Sequence, residues 1–370
     1  MNSKGEWFEI ENIDTVDTPA LLFYKDRIAE NIRQLKKRVS SIDRLRPHVK
    51  TNKSADICRM MMAEGITKFK CATIAEAEML GSINAEDVLL AYQPVGPKIK
   101  RLLELVRKFP GTKISCLVDN IDSGKEIAAL FHSNYQSINL FIDLNVGMNR
   151  TGITPEKSTA LFEALNSIAG ITIVGLHVYD GHITDADITV RRQRLNAEYK
   201  KVFSLREWIE KKYQKHMMII GGGSPTFSVH AEQNDVECSP GTFILWDWNY
   251  KNSYPEEPYK YGALVVSRIV SITSETTMTI DLGHKSVAAE NPLPRVHFLN
   301  VPEAVPISHS EEHMVLKVAD TKKYTVGNVL YGVPAHICPT VALYERASVV
   351  QNKRVITEWN ITSRNKRITI

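Results

Sequence analysis

Apolar and polar positions along the chain follow two alternating rhythms. Short apolar or β-branched runs are separated by longer stretches whose apolar residues stand three and four positions apart, the spacing that lines one face of a helix. Leu45–Val49, Lys68–Cys71, Val88–Ala91, Lys113–Val118, Ile138–Ile142, Thr172–His177, Met217–Ile220 and Asp235–Cys238 read as strands. Ala55–Glu64, Ile74–Leu80, Pro97–Phe109, Ser123–Phe131, Pro155–Ile168 and Arg191–Tyr213 read as helices between them. Strands joined mostly through helices predict a parallel (β/α)8 TIM-type barrel rather than an open sheet. Ahead of the barrel pattern, Ala20–Tyr24 reads as a strand and Asp26–Val39 as a helix.

Past Trp248 the texture changes. A Tyr/Pro/Glu-rich stretch from Asn249 to Tyr261 leads into β-branched runs at Val265–Ile272, Thr276–Asp281, Met314–Val318, Asn328–Val333, Thr340–Tyr344 and Val355–Ile361. These predict an all-β second domain. The expected division is an N-terminal segment over 1–19 that packs with the C-terminal domain, a barrel over 20–250 and a β domain over 251–370.

Length and composition narrow the function. A chain of 370 residues exceeds what one hydrophobic core usually holds. With 43% hydrophobic and 24% charged residues, it has the makeup of a globular enzyme. A net charge of +4, with no basic block interleaved with aromatics, points to small-molecule partners and away from nucleic acid. The five cysteines are scattered and odd in number, which suits a reducing compartment. No signal-peptide core lies between Met1 and Asp17, and no window reaches membrane-spanning length, so the expected location is the cytoplasm.

Candidate chemistry clusters at predicted strand ends, the face where barrel enzymes place their sites. Lys50 follows the first strand, and the alternative for any turn lysine is simple solvation. Gly221-Gly222-Gly223-Ser224 with Thr226 follows the seventh strand; backbone N–H groups and small hydroxyls in such a run suit a phosphate. A lysine facing a phosphate cradle suggests pyridoxal 5′-phosphate. Between them, Arg150 is a candidate for the cofactor's phenolic oxygen or a substrate carboxylate, its alternative being a loop salt bridge. Tyr179 is a candidate for the pyridine nitrogen, and His177 or His182 for proton transfer; core packing is the competing account of His177 and Tyr179.

In the second domain, His336 and Cys338 stand two apart, so on an extended segment both face one side and can bind one borderline cation. A buried thiol beside an unrelated histidine is the alternative. His313 and Glu312, in Ser310-Glu311-Glu312-His313, are further candidates near the site, or else parts of a hydrated loop.

With these residues assembled, the chain resembles the D-threonine aldolase and D-serine dehydratase family of fold-type III, alanine racemase-like enzymes. The carriers are Asp17-Thr18-Pro19-Ala20, Arg46-Pro47-His48-Val49-Lys50-Thr51, Gly147-Met148-Asn149-Arg150-Thr151-Gly152, Gly221–Ser224, Ser239-Pro240-Gly241, Ser310–His313 and His336–Thr340. The resemblance implies pyridoxal phosphate joined to Lys50 through an imine, its phosphate held by Gly222, Gly223 and neighbours, and a divalent metal, zinc or manganese, on His336 and Cys338. It also implies a homodimer and action on D-3-hydroxy amino acids. Cleavage to glycine and an aldehyde is the leading expectation, elimination of water and ammonia the alternative; an amino-acid racemase and a non-catalytic cofactor-binding protein are remoter. Cys338 leans toward the dehydratases, whereas Pro339-Thr340-Val341 and the surroundings of Gly221 look more like the aldolases. The histidine spacing after Tyr179 departs from the aldolase pattern, and the second base of the racemases has no match here.

Overall fold

The structure, a computed structural model, describes residues 5–370. It divides into two compact units. One takes the chain up to Gln34, then Thr51–Asp56 and Thr242–Arg364; the other takes Leu35–Lys50, Ile57–Gly241 and Asn365–Ile370.

In chain order the first elements are β1 (Ala20–Tyr24), α1 (Lys25–Lys36) and α2 (Ala55–Ala63). Strands and helices then alternate as the periodicity predicts: β2 (Lys68–Cys71), α3 (Ile74–Ser82), β3 (Asp87–Leu90), α4 (Pro97–Lys108), β4 (Lys113–Val118), α5 (Ile121–Ser133), β5 (Ile138–Leu144), α6 (Pro155–Leu165), β6 (Ile171–Val178), α7 (Ile188–Tyr213), β7 (Met218–Gly221), α8 (Phe227–Ala231) and β8 (Val236–Cys238). Local chemistry starts these helices. Thr73 accepts from Glu76 N while the Glu76 carboxylate accepts from Ala72 N, a reciprocal cap on α3. Pro97 and Pro155 open α4 and α6, where a missing N–H removes no helical bond.

β2 to β8 form one parallel sheet of seven strands in chain order. Leu89, Leu117, Phe141 and Ile220 pack together on its inner face. The expected first barrel strand, Leu45–Val49, forms no ladder of its own. It makes single parallel bridges, Leu45 to Cys238 and His48 to Lys70, and so spans the gap between β8 and β2 and curls the sheet into a barrel. Pro47 explains the interruption, since it has no N–H to offer; Lys70 N donates to its carbonyl instead, at 2.9 Å. Below this segment the buried Arg46 guanidinium spans Asp87 at 2.6 Å and Glu237 at 2.7 Å. In the same unit the chain's last residues return to Glu78, whose carboxylate accepts from Thr369 N at 3.1 Å and Ile370 N at 3.3 Å.

The other unit continues with α9 (Trp248–Ser253), β9 (Ala263–Ile272), β10 (Thr277–Ile280), β11 (Val296–Phe298), β12 (Val305–His309), β13 (Met314–Lys317), β14 (Val329–Pro334), α10 (Ile337–Val341), β15 (Arg346–Gln351) and β16 (Arg354–Asn360). Its main sheet runs β12-β13-β10-β9-β1-β15-β16, with β14 pairing β9 and β11. Ala20–Tyr24, expected to open the barrel domain, lies in this sheet, antiparallel to β9 and parallel to β15. Phe8, Ile10 and Val16 pack with Leu22, Tyr24, Leu264 and Tyr331 in the core beside it.

One strand expectation is overturned. Thr340–Tyr344, read as extended from its β-branched residues, falls in α10 and the turn after it. The helix is started by contacts that local propensity does not show: Ile337 N donates to Asp247 Oδ2 at 3.2 Å, and the Thr340 hydroxyl donates to His336 O at 2.8 Å. Pro339 sits in the first turn, where it is tolerated. His336 is therefore the cap of a helix and Cys338 lies within it, rather than both on an extended segment.

Candidate active site

β6 ends at Val178, and the next side chain, Tyr179, is the centre of the candidate site. Three cations surround its ring. The Lys50 ammonium lies 5.7 Å from the ring centroid, the Lys70 ammonium 5.9 Å and the Arg150 guanidinium 4.8 Å. Lys50 stands just past the His48 bridge, and Lys70 projects from β2 inside the barrel, beside Leu89 in the register. Glycine makes room for the ring: a Cβ on Gly181 would come within 2.4 Å of Tyr179 atoms. The structure thus brings together Lys50, Arg150 and Tyr179, as expected from the sequence, and adds Lys70.

The glycine loop lies against the same ring, with a Cβ on Gly223 reaching 3.2 Å from Tyr179 Cε2. Gly221 closes β7, and Gly222 takes φ +76°, a backbone region that favours glycine. Gly222 N donates to Val178 O at 3.0 Å, and the Ser224 hydroxyl accepts from Gly241 N at 3.2 Å. Thr226 is used differently from the expectation. Its hydroxyl donates to Asp180 Oδ1 at 2.8 Å and accepts from Gly223 N at 3.3 Å, so it braces the loop rather than facing a ligand. Buried Asp180 completes the brace through His230 Nε2 at 2.7 Å.

His177 Nδ1 lies 2.7 Å from Asp143 Oδ1. Burial pushes the Asp143 carboxyl up, but hydrogen bonds from His177, Thr151 and Gln93 outweigh this and hold it below the usual range. Burial also drives the His177 imidazole below its ordinary value, helped by the charges of Lys70 and Arg150. The pair therefore rests as carboxylate and neutral imidazole, with Nδ1–H donated to Asp143. His177 Nε2 is left as a buried acceptor with no hydrogen-bond partner among the described residues. His182 is placed less favourably for catalysis: it packs against Gly147, with Nε2 3.8 Å from Glu198 Oε1 and no hydrogen bond to either ring nitrogen from the described residues.

In the other unit, His336 Nδ1 lies 2.6 Å from Glu290 Oε1, and Cys338 Sγ lies 3.2 Å from Thr51 Oγ1. Burial lowers the His336 imidazole, but Cys338, Glu290 and Asp247 outweigh it and hold it up at about 9. Burial raises Asp247 to about 6. His313 and Glu312 are exposed in the turn between β12 and β13, and Glu312 pairs with Lys285 at 3.1 Å. The box that holds them is a hairpin tip, as its polar sequence allows.

The residues present fit pyridoxal phosphate. Three cations converge on one ring, and the nearby carboxylates, Asp143 and Asp180, hydrogen-bond to His177 and His230 rather than to any of the three. The orphaned His177 Nε2 is a further opening for a polar ligand. His336 and Cys338 fit a borderline divalent ion in donor chemistry, and the Glu290 contact at His336 Nδ1 is the kind that orients a ligating imidazole. Among the described residues no group of three or more His, Cys, Asp or Glu side chains is placed to hold a metal, so these two would leave coordination positions open. Among those residues, too, no helix is long and apolar enough to cross a membrane.

A curled parallel sheet in one unit and an antiparallel sheet in the other define an alanine racemase-like fold. The family model described as alanine racemase, N-terminal domain, matches residues 24–246, more than half of the chain, and the chain belongs to that family. A second model, described as "Putative serine dehydratase domain", matches residues 262–350. The chain is 25% identical to a D-threonine aldolase from Arthrobacter sp., over 94% of this chain and 93% of the relative. It is 21% identical to a D-threo-3-hydroxyaspartate dehydratase from Delftia sp., over 93% and 97%. The crystal structure of D-threonine aldolase from Filomicrobium marinum superposes with a TM-score of 0.87 at 23% identity, covering 94% of this chain and 95% of that one. These relatives are named as aldolases and a dehydratase.

Asp143, Asp180, His230 and Lys70 are given no role by the sequence, and Ser239 enters there only as part of the Ser239-Pro240-Gly241 block. Asp143 and Asp180 each come just after a predicted strand, Ile138–Ile142 and Thr172–His177, which is a usable signal. His230 and Lys70 gave none, because their partners come from strands distant in the chain.

Proposed function

We propose that this protein is a pyridoxal-phosphate-dependent lyase of D-3-hydroxy amino acids that cleaves the Cα–Cβ bond to give glycine and an aldehyde, working in the cytoplasm as a homodimer. The observation that carries the reading is the Tyr179 ring with Lys50 and Arg150 around it and the glycine loop against its edge. Lys50 would hold the cofactor covalently, Gly222, Gly223 and Ser224 would take its phosphate, and Arg150 would meet its phenolic oxygen or the substrate carboxylate. Bound there, pyridoxal phosphate supplies an electron sink for a bond broken at Cα. His336 and Cys338 would hold the divalent ion, which supplies Lewis acidity for a hydroxyl.

The chain's own residues do the rest. His177, kept neutral and in one tautomer by Asp143, offers Nε2 as a proton acceptor inside the barrel. Asp180, through Thr226 and His230, keeps the glycine loop in one conformation. The cations around Tyr179 favour entry of anionic ligands.

The second reading is dehydration of a D-3-hydroxy amino acid to a keto acid and ammonia on the same residues; the thiol of Cys338 at the candidate metal position favours it. Purified protein incubated with pyridoxal phosphate, zinc or manganese, and D-threonine, D-serine or D-3-hydroxyaspartate separates the two. Glycine with an aldehyde supports the aldolase, and ammonia with a keto acid the dehydratase. No turnover of any of the three overturns the lyase reading.

A further inference from the structure

Lys70 is the least expected side chain in the barrel. It is 2% exposed, on the inner face of β2, and no carboxylate forms a salt bridge with it among the described residues. Its ammonium donates to the Ser239 hydroxyl, which itself donates to the carbonyls of Gly221 and Gly222 at 3.0 and 3.1 Å. The groups facing it are Lys50, His177 and Arg46 on the basic side, Asp180 and Asp143 on the acidic side, and the Tyr179 ring 5.9 Å away. Both acids hydrogen-bond to histidines and neither forms a salt bridge with Lys70. A buried ammonium with no carboxylate in direct contact is costly in the empty protein, and an apolar residue would pack the same space at no such cost.

We infer that Lys70 is a ligand-facing cation, the buried counter-charge of the anionic pyridine cofactor held between Lys50, Tyr179 and the glycine loop. The inference rests on the reading of this site as a pyridoxal phosphate site and extends it to a residue that reading leaves unused. Burial, then the charge of Lys50, pulls the Lys70 ammonium down to about 7. Near neutral pH the amine therefore exchanges its proton readily, and an anion beside it draws that proton back. Cofactor binding then takes up a proton, and it weakens as pH rises past neutrality.

Pyridoxamine 5′-phosphate tests this without activity and without a covalent bond to Lys50, because it carries an amine in place of the aldehyde. Its affinity is measured by fluorescence at pH 6.5 and 8.5 for the wild type, Lys70→Met and Lys70→Arg, together with the melting temperature of each empty protein. The wild type is expected to bind several-fold more tightly at pH 6.5. Loss of one charge-assisted contact predicts binding about 10-fold weaker in Lys70→Met at pH 6.5, with the pH dependence flattened. Lys70→Arg, permanently charged, is expected to bind within a few-fold of the wild type at both pH values. The empty Lys70→Met protein is expected to melt no lower than the wild type. Unchanged affinity and pH dependence in Lys70→Met would overturn the inference, as would equal weakening at both pH values with a lowered melting temperature. If the wild type does not bind pyridoxamine 5′-phosphate at all, the cofactor reading itself fails and this inference falls with it.

Discussion

His177 donates Nδ1–H to Asp143 at 2.7 Å, and this one bond decides which of its ring nitrogens faces the barrel interior. Asp143→Asn removes the charge and lets the imidazole take either tautomer. Turnover with the best substrate of the panel is expected to fall by about 10²-fold or more, as loss of an orienting carboxylate does elsewhere. A KM within a few-fold of the wild type, beside the lowered kcat, would separate this effect from lost binding.

The same pair makes the fold acid-sensitive in a defined window. Asp143 titrates lower folded than unfolded, so its stabilisation is full above the usual carboxylate range and is lost as pH falls through its folded value. His177 is also lowered, so the unfolded chain gains a proton first as pH drops below about 6.5, which adds a penalty to the native state. Urea midpoints are expected to fall between pH 7 and pH 4, and the fall should be shallower in His177→Gln. Equal slopes for both proteins would count against a neutral His177.

Lys50→Ala is expected to abolish the visible absorption band that appears when pyridoxal phosphate is added to the wild type. A band that persists in the variant, with the same intensity, assigns the covalent contact elsewhere.

At Gly222 the backbone has φ +76°, and an added Cβ would lie 2.5 Å from His230 Cδ2. Gly222→Ala should therefore destabilise the protein by about 1–3 kcal/mol, the usual strain of a side chain in that region. Chemical denaturation gives the stability. Weakened binding of pyridoxamine 5′-phosphate is the expected companion result, because the strain distorts the phosphate loop.

Cys338→Ala and His336→Ala should each lower zinc or manganese content, measured by elemental analysis after dialysis, and leave the visible cofactor band in place. Chelator treatment of the wild type should lower turnover, with recovery when metal is returned. Unchanged metal content in both variants would remove these residues from the metal site.

The barrel was legible because helix and strand periods differ and because its strands are short apolar runs; β2 and β4 begin and end where the pattern places them. Leu45–Val49 was read as an equal member of the sheet, yet Pro47 limits it to two bridges. Thr340–Tyr344 misled for another reason: β-branched residues suggested a strand, while Asp247, some ninety residues upstream in the chain, started a helix. Lys50, Arg150, Tyr179 and the glycines were visible as residue types at strand ends. What holds them was not, since Asp180 meets His230 and Lys70 meets Ser239 only after the sheet has curled.

Each unit is assembled from three separate stretches of chain, and residues 365–370 belong with the barrel although they follow the whole antiparallel sheet. No single cut in the gene therefore separates one whole unit from the other. Exchange of either unit between relatives therefore requires a joint at every boundary between the stretches, and a single crossover in the gene always carries parts of both.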